Sequence, residues 1–402
     1  MLLDEHGGGS RGAGGIATGA RIVVCAAVGF VTLALWLAIA TKASASGWVV
    51  QRTPNPTGGV YSKLDGVSCV SLSSCTAVGF LTNRTGGEAT LAERWNGTSW
   101  SIQRTSNPAG ATSSSLLGVS CASLRSCTAV GSFTNRTGDE ATLAERWNGS
   151  SWAMQRTPNP AGTTRSRLEG VSCASTRSCT AVGFWYYVGL PSSEVVLAER
   201  WNGTSWSVQR TPTPAGATYG QLGGVSCPTL RPCTAVGFLT DSADIEVTLA
   251  QRWHGTRWSI QQTPNPGRAR TAGLNGVSCP SLRSCTAVGF FTDRAGTLAT
   301  LAERWNGTRW AIQRTPSPTD GALVGVSCAS TMACTALGSN AGATITERWN
   351  GTNWAIQPIP NPADATSSQL DGVSCASPRS CTAVGFSTNR AGINRTLAER
   401  YS

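Results

Sequence analysis

Residues 66–105 read GVSCVSLSSCTAVGFLTNRTGGEATLAERWNGTSWSIQRT, and variants of this stretch recur along the chain. The markers are Gly-Val-Ser-Cys, a second Cys six positions on, and Thr-Ala-Val-Gly. Leu-Ala-Glu-Arg-Trp, Asn-Gly-Thr, a second Trp and Gln-Arg-Thr-Pro follow. The first Cys of each copy is Cys69, Cys121, Cys173, Cys227, Cys279, Cys328 or Cys375, at spacings of 52, 52, 54, 52, 49 and 47. No segment carries 3.6-residue apolar periodicity, which excludes solenoids of paired helices.

A fixed period near this length, with several short strands per unit, predicts a β-propeller. In the first unit the expected strands are A (Leu64–Cys69), B (Cys75–Leu81), C (Thr90–Trp95) and D (Trp100–Thr105). Asn96-Gly97 between two alternating runs predicts a tight type I′ hairpin. Counting outward from it sets Trp95 opposite Thr98, Glu93 opposite Trp100 and Leu91 opposite Ile102. One face then carries Leu, Glu, Trp, Thr, Trp and Ile, while Ala92, Arg94, Ser99 and Ser101 make the other. Two-faced sheets of this kind stack as blades in a ring.

The ends predict how the ring closes. In most units the second Trp lies 21 residues before the next Cys pair, and Trp48 has that spacing to Cys69. Gly47 to Thr53 is therefore a strand D without its A, B and C. Leu397 to Tyr401 is a strand C without its D. Joined, they complete a seventh blade and remove the open edges of a linear array. Glu399 is expected near Trp48, and Leu397 near Val50. The expected fold is all-β: a seven-bladed propeller of four-stranded blades over residues 46–402, sealed by its two ends.

Fourteen of the 15 Cys form Cys-x5-Cys pairs. The expected disulfides are Cys69–Cys75, Cys121–Cys127, Cys173–Cys179, Cys227–Cys233, Cys279–Cys285, Cys328–Cys334 and Cys375–Cys381. Each brackets an A–B turn, where facing residues come within disulfide reach. Zinc sites use shorter gaps and four ligands, and no second pair or His lies near, so no metal is expected. Seven disulfides imply an oxidising, extracytoplasmic compartment.

The first 45 residues form a separate object. Residues 1–20 are Gly-rich and read as a disordered cytoplasmic tail. Residues 21–45 read as a signal peptide or membrane anchor. The run Ile22–Thr41 has no charge and is long enough to span a bilayer. Ala43-Ser44-Ala45 suits signal peptidase, so cleaved signal and retained anchor both remain open. Arg11 and Arg21 before the run keep the N-terminus inside. Cys25 reads as a small apolar residue.

The net charge of +11 is almost all Arg, with Lys only at Lys42 and Lys63. Most Arg sit at repeat positions beside Glu, and no basic run of five exists, so nucleic acid is not an expected partner. The two His, His6 and His254, cannot build a Ser-His-Asp triad. The Glu of Leu-Ala-Glu-Arg-Trp (Glu93, Glu145, Glu199, Glu303, Glu347, Glu399; Gln251 in the fourth unit) reads as a repeated packing or salt-bridge element. Asn-x-Thr/Ser at Asn83, Asn96, Asn135, Asn148, Asn202, Asn306, Asn350 and Asn394 matches the glycosylation pattern, but turns explain the Asn-Gly cases. No catalytic residue and no cofactor is assigned.

Strand alternation places the A–B and C–D turns on one face and the B–C and D–A loops on the other. The second set varies in length, and function sits on variable loops held by a rigid frame. The distinctive segment is Phe184 to Val188, from which Trp185, Tyr186 and Tyr187 are the candidate binding residues.

Gly-Val-Ser-Cys, Cys-Thr-Ala-Val-Gly and Glu-Arg-Trp-Asn-Gly-Thr resemble the repeats of secreted β-propeller proteins of high-GC actinobacteria, over residues 47–402. The chain is similar at a distance to kelch and Asp-box propellers, without the kelch Gly-Gly doublet or the Asp of an Asp-box. The resemblance implies the fold and carries over no catalytic residue. The expected function is a monomeric binding or scaffold propeller for a polysaccharide, peptide or protein, reaching the membrane through residues 22–41 if these are uncleaved. The alternative is a carbohydrate hydrolase or lyase using acids near the channel mouth. Unique carboxylates converging on the variable face would favour the enzyme, and a channel lined by repeated small residues would favour binding.

Overall fold

The computed structural model describes residues 47–402 except 188–193, 268, 317–319 and 341–342. The expectations for residues 1–20, 21–45 and 22–41 lie outside the described residues. Among the described residues no helix is long and apolar enough to cross a membrane.

The described chain is all β, in four-stranded antiparallel groups that follow one another. The first complete group is A, Gly59–Ser71; B, Ser74–Asn83; C, Glu88–Trp95; and D, Trp100–Gln103. Strand D stops two residues short of the expected Thr105. Beyond Gln103, side chains replace the backbone ladder. Thr105 Oγ1 donates to the Thr90 carbonyl at 3.0 Å, and Asn107 Oδ1 accepts from Thr90 N–H at 3.0 Å.

The C–D register differs from the expected one by two residues. Trp95 pairs with Trp100, and Glu93 with Ile102. The connection is four residues long, and in it only Gly97 takes a positive φ. A type I′ turn needs two such residues. Asn96 instead accepts the N–H groups of Thr98 and Ser99, both at 2.9 Å, while its own N–H donates to Ser99 O. The same offset appears at the chain ends: Trp48 pairs with Tyr401 and Val50 with Glu399, rather than with Glu399 and Leu397. A two-residue shift keeps every side chain on its expected face, but burial does not follow the expected polarity of the two faces. Ala92 is fully buried and Ile102 is 41% exposed.

Each group packs on the next through strand A, and the last packs on the first. The Ser of each Gly-Val-Ser-Cys accepts the N–H of the following group's first Cys. Cys121 donates to Ser68 Oγ at 3.0 Å, the relation repeats along the chain, and Cys69 donates to Ser374 Oγ at 2.9 Å. The preceding glycine permits this approach. A Cβ at Gly66 would lie 2.7 Å from the carbonyl of Leu117, and one at Gly372 would lie 2.8 Å from that of Asp65.

The core lies between groups. Leu64, Leu91, Trp95 and Trp100 pack with Val384 and Ala398 of the group formed by the chain ends. Full burial of each such leucine contributes about 2 kcal/mol. Trp95 and Trp100 tilt against each other with centroids 5.9 Å apart, as the equivalent pairs do.

All seven expected disulfides form: Cys69–Cys75, Cys121–Cys127, Cys173–Cys179, Cys227–Cys233, Cys279–Cys285, Cys328–Cys334 and Cys375–Cys381. By chain entropy each contributes about 2 kcal/mol. The second member of every pair is buried in the joint between groups: Cys75, Cys127, Cys179, Cys233, Cys285, Cys334 and Cys381. The Thr that follows the second Cys reaches the sulfur of the next group, as Thr76 does with Cys127 and Thr128 with Cys179.

Candidate functional site

Strand A is the innermost strand and carries a bulge just before the close-packed glycine. In the first group the register shifts between Leu64 and Gly66, and the other groups repeat the shift. A bulge leaves one residue unpaired and re-aims its side chain. That residue is Asp65, Leu117, Glu169, Gly223, Asn275, Val324 or Asp371 in turn. Two positions earlier stand Lys63, Ser115, Arg167, Gln221, Gly273, Ala322 and Gln369. The Leu between them is repeated and nearly fully buried. The repeat is thus kept on one side of the strand and broken on the other, and charge enters in the first, third and last groups.

Lys63 Nζ lies 2.9 Å from Asp65 Oδ1 and 3.5 Å from Asp371 Oδ2. Gln369 Nε2 donates to Asp371 Oδ1 at 2.7 Å. Burial pushes the Asp65 carboxyl up to about 6, against the pull of the Lys63 ammonium. Asp371 is raised by burial in the same way. Lys63 is held above its ordinary value: burial alone would lower it, but the two aspartates together outweigh that.

A second knot adjoins the first. Arg167 Nε lies 3.1 Å from Glu169 Oε1, and Arg165 Nε lies 2.7 Å from Glu140 Oε2. Ser132 Oγ donates to Glu140 Oε1 at 2.6 Å. Burial raises Glu169, opposed chiefly by Arg167. The Arg165 guanidinium sits 5.3 Å from the Tyr186 ring and 5.5 Å from Phe184. Tyr186 hydroxyl donates to Glu194 Oε2 at 3.0 Å. Burial raises Glu194, and the hydroxyls of Tyr219 and Tyr186 pull it back. A cavity of about 90 Å³ is lined in part by Glu194, Tyr219 and Leu239.

The aromatic segment expected in a loop is strand: Ser178–Tyr187 is strand B of the third group. Phe184 holds the place of Phe80, so the aromatic run continues the ladder rather than leaving it. Tyr186 reaches the charged knot. Trp185 packs against the apolar core between the second and third groups. Tyr187 pairs in register with Thr163. Lys63, Asp65, Arg165, Arg167, Glu169, Glu140 and Asp371 were not singled out by sequence. The available signal was the x-Leu-x-Gly alternation, in which x varies while Leu and Gly do not.

The repeated glutamates lie elsewhere. Glu93, Glu145, Glu199, Glu303 and Glu347 are fully buried, and Glu399 is 1% exposed. Burial pushes Glu93, Glu199, Glu303 and Glu399 up to about 8, and Glu145 and Glu347 to about 7. The salt bridge considered for them does not form. The adjacent arginines lie over the next group's aromatic ring: Arg94 over Trp147 at 4.8 Å, and finally Arg400 over Trp95 at 5.1 Å. In the fourth group Gln251 Nε2 donates to the Pro212 carbonyl at 2.9 Å. Pro54, Pro158, Pro264, Pro316 and Pro360 stand at the equivalent place before the other glutamates, except Glu145, which faces Ser106. Proline offers an acceptor and no donor, so a neutral acid suits the position and a carboxylate does not.

Cavities of about 780, 540 and 380 Å³ run between neighbouring groups beside the Trp pairs. They recur with the repeat and lie apart from the charged knots. Among the described residues no cluster of His, Cys, Asp and Glu is arranged to hold a metal. His254 sits in its turn, with Nε2 2.8 Å from Ser259 Oγ.

No protein-family model and no curated protein matches the chain. Solved structures do match its fold, which is that of a β-propeller. U3-55K aligns over 89% of this chain and 99% of its own, at 10% identity and a TM-score of 0.55. YCF48 bound to D1 peptide aligns over 89% and 96%, at 13% identity and a TM-score of 0.48. The six-bladed fucose-recognising lectin of Aleuria aurantia aligns over 79% and 97%, at 13% identity and a TM-score of 0.41. At these identities the likeness concerns the fold alone.

Proposed function

We propose that the chain is a seven-bladed, ring-closed propeller working outside the cytoplasm. It binds a polysaccharide, peptide or protein through the face of the B–C and D–A loops, with the Lys63 and Arg165 knots as its recognition centre. One observation carries this reading: inner-strand charge is confined to three of seven otherwise repeated groups. A repeating ring needs no such asymmetry for stability, and buried mixed charge costs more than apolar filling. The disulfides favour an oxidising compartment.

The hydrolase alternative rests on Asp65 and Asp371. Glycosidases need one protonated and one ionised carboxyl across an open space. Here both flank one ammonium, which favours recognition over bond cleavage. The test is a glycan and a peptide array probed with the purified protein. Ligands are expected on at least one array, and Arg165→Ala and Lys63→Met each lose them. Hydrolysis of a bound glycan, abolished by Asp65→Asn, would instead establish the enzyme. Silence on both arrays would remove the binding reading.

A further inference from the structure

The opposite face carries a different chemistry. The A–B and C–D turns lie together there: a Cβ at Gly97 would come within 3.0 Å of Ser73, and one at Gly149 within 3.1 Å of Arg125. None of the chain's 21 Asp and Glu falls in these turns. The A–B turns instead present Arg125, Arg177, Arg231, Arg283 and Arg379, all exposed. Leu124, Leu230 and Leu282 stand beside three of them, and Leu72 and Met332 stand in the two turns without Arg; these five are exposed by 54, 55, 43, 54 and 57%. Apolar residues repeated on one face of a monomer mark a contact surface.

We propose that this face docks on an anionic lipid bilayer. Arginine without opposing acid fits a negatively charged surface. The leucines select among anionic partners. A soluble polyanion has no use for apolar tips, whereas a bilayer buries them at the headgroup boundary. The point of chain entry agrees. Gly47 exchanges backbone hydrogen bonds with Ser402 at 3.3 and 3.4 Å, in the position of a C–D turn and so on this face. It follows the uncharged run Ile22–Thr41 by six residues. The variable face is then turned away from the membrane and open to ligand. The inference shares the face assignment of the proposed function but not its ligand.

The test is hydrogen exchange on the full-length protein in lipid nanodiscs of phosphatidylcholine, with or without phosphatidylglycerol. Amides in turns 122–126, 228–232 and 280–284 are expected to exchange several-fold more slowly with phosphatidylglycerol, while loops 83–88 and 135–140 stay unchanged. Replacing Arg125, Arg177, Arg231 and Arg283 together by Gln removes the difference, and so does the triple change Leu72→Ser, Leu124→Ser, Leu282→Ser. An unchanged free-thiol count shows that the disulfides, and with them the blades, are intact in both variants. Equal exchange in the two lipids overturns the proposal. So does protection that survives the Leu variant and is reproduced by soluble polyphosphate, which would make the face a polyanion surface.

Discussion

Two sets of carboxyls in this molecule are both raised by burial, yet they behave oppositely. The glutamates of strand C recur in nearly every blade and have no charged neighbour, and both carboxyl oxygens of Glu93, Glu199, Glu303 and Glu347 are buried without a hydrogen-bond partner. Asp65, Glu169 and Asp371 occur once each on inner strands and are matched to Lys63 or Arg167. Burial holds the first set toward the neutral acid, and Gln251 shows that an uncharged amide can stand in the same place. The second set is satisfied by cations. A residue in every blade serves the joints between blades; a residue in one blade breaks the symmetry, and recognition requires such a break.

The sharpest way to break this contrast is to force charge into the repeated set. Glu303→Lys, at a fully buried site with no counter-charge, is expected to cost about 4 kcal/mol or prevent folding. Glu303→Gln should change urea stability at pH 6 by less than about 1 kcal/mol, since it copies Gln251. A large loss from the Gln variant would show that the acid does more than pack.

Next in size is the pH dependence. The strand C glutamates titrate near 4.5 when unfolded and near 7 to 8 when folded. Between those values the native state holds protons that the unfolded state has released, so stability falls as pH rises. The contribution is complete below about 4.5 and is lost by about 8. Melting temperature should therefore drop steadily from pH 5 to pH 8. Replacing all six glutamates by Gln should flatten that slope. A slope that persists would assign it to other groups.

Smaller effects belong to the unique set. Lys63→Met leaves Asp65 and Asp371 without their cation and should destabilise at pH 7 by about 2 kcal/mol. At pH 5 Asp65, already raised to about 6 beside Lys63, takes up a proton, and part of that loss should return. Arg165→Ala removes a half-exposed ion pair and should cost under about 1 kcal/mol in chemical denaturation. Its consequence should appear in ligand binding instead. A large stability loss there would make the knot a joint rather than a site.

The fold was legible because the repeat carries it. The Cys pairs, the Trp spacing and the unfinished strands at the two ends anticipated the disulfides and the antiparallel pairing of the strand at Trp48 with the strand ending at Tyr401, though not its register. The register was missed by two residues because Asn96 acts through its side chain as an acceptor, and a dipeptide does not reveal that. Strand D was drawn too long because Thr105 and Asn107 mimic a ladder with side chains. Of the candidate residues, Tyr186 touches the charged knot, with Glu194 and Arg165 as its neighbours, whereas Lys63 and Arg167 carry no signal outside the repeat. These two sit inside a strongly repeated motif, at one of two variable positions that flank a repeated Leu within an inner strand. At the bulge Gly79 lies opposite Leu64, and a Cβ there would overlap the Lys63 carbonyl, a close approach that the local sequence does not announce.

A carboxyl-carbon NMR titration of the folded protein tests the contrast most directly. Glu93, Glu199, Glu303 and Glu399 should remain protonated through neutral pH and titrate near 8, with Asp65 separate at about 6. Strand C glutamates already ionised at pH 5 in the folded protein would contradict the account.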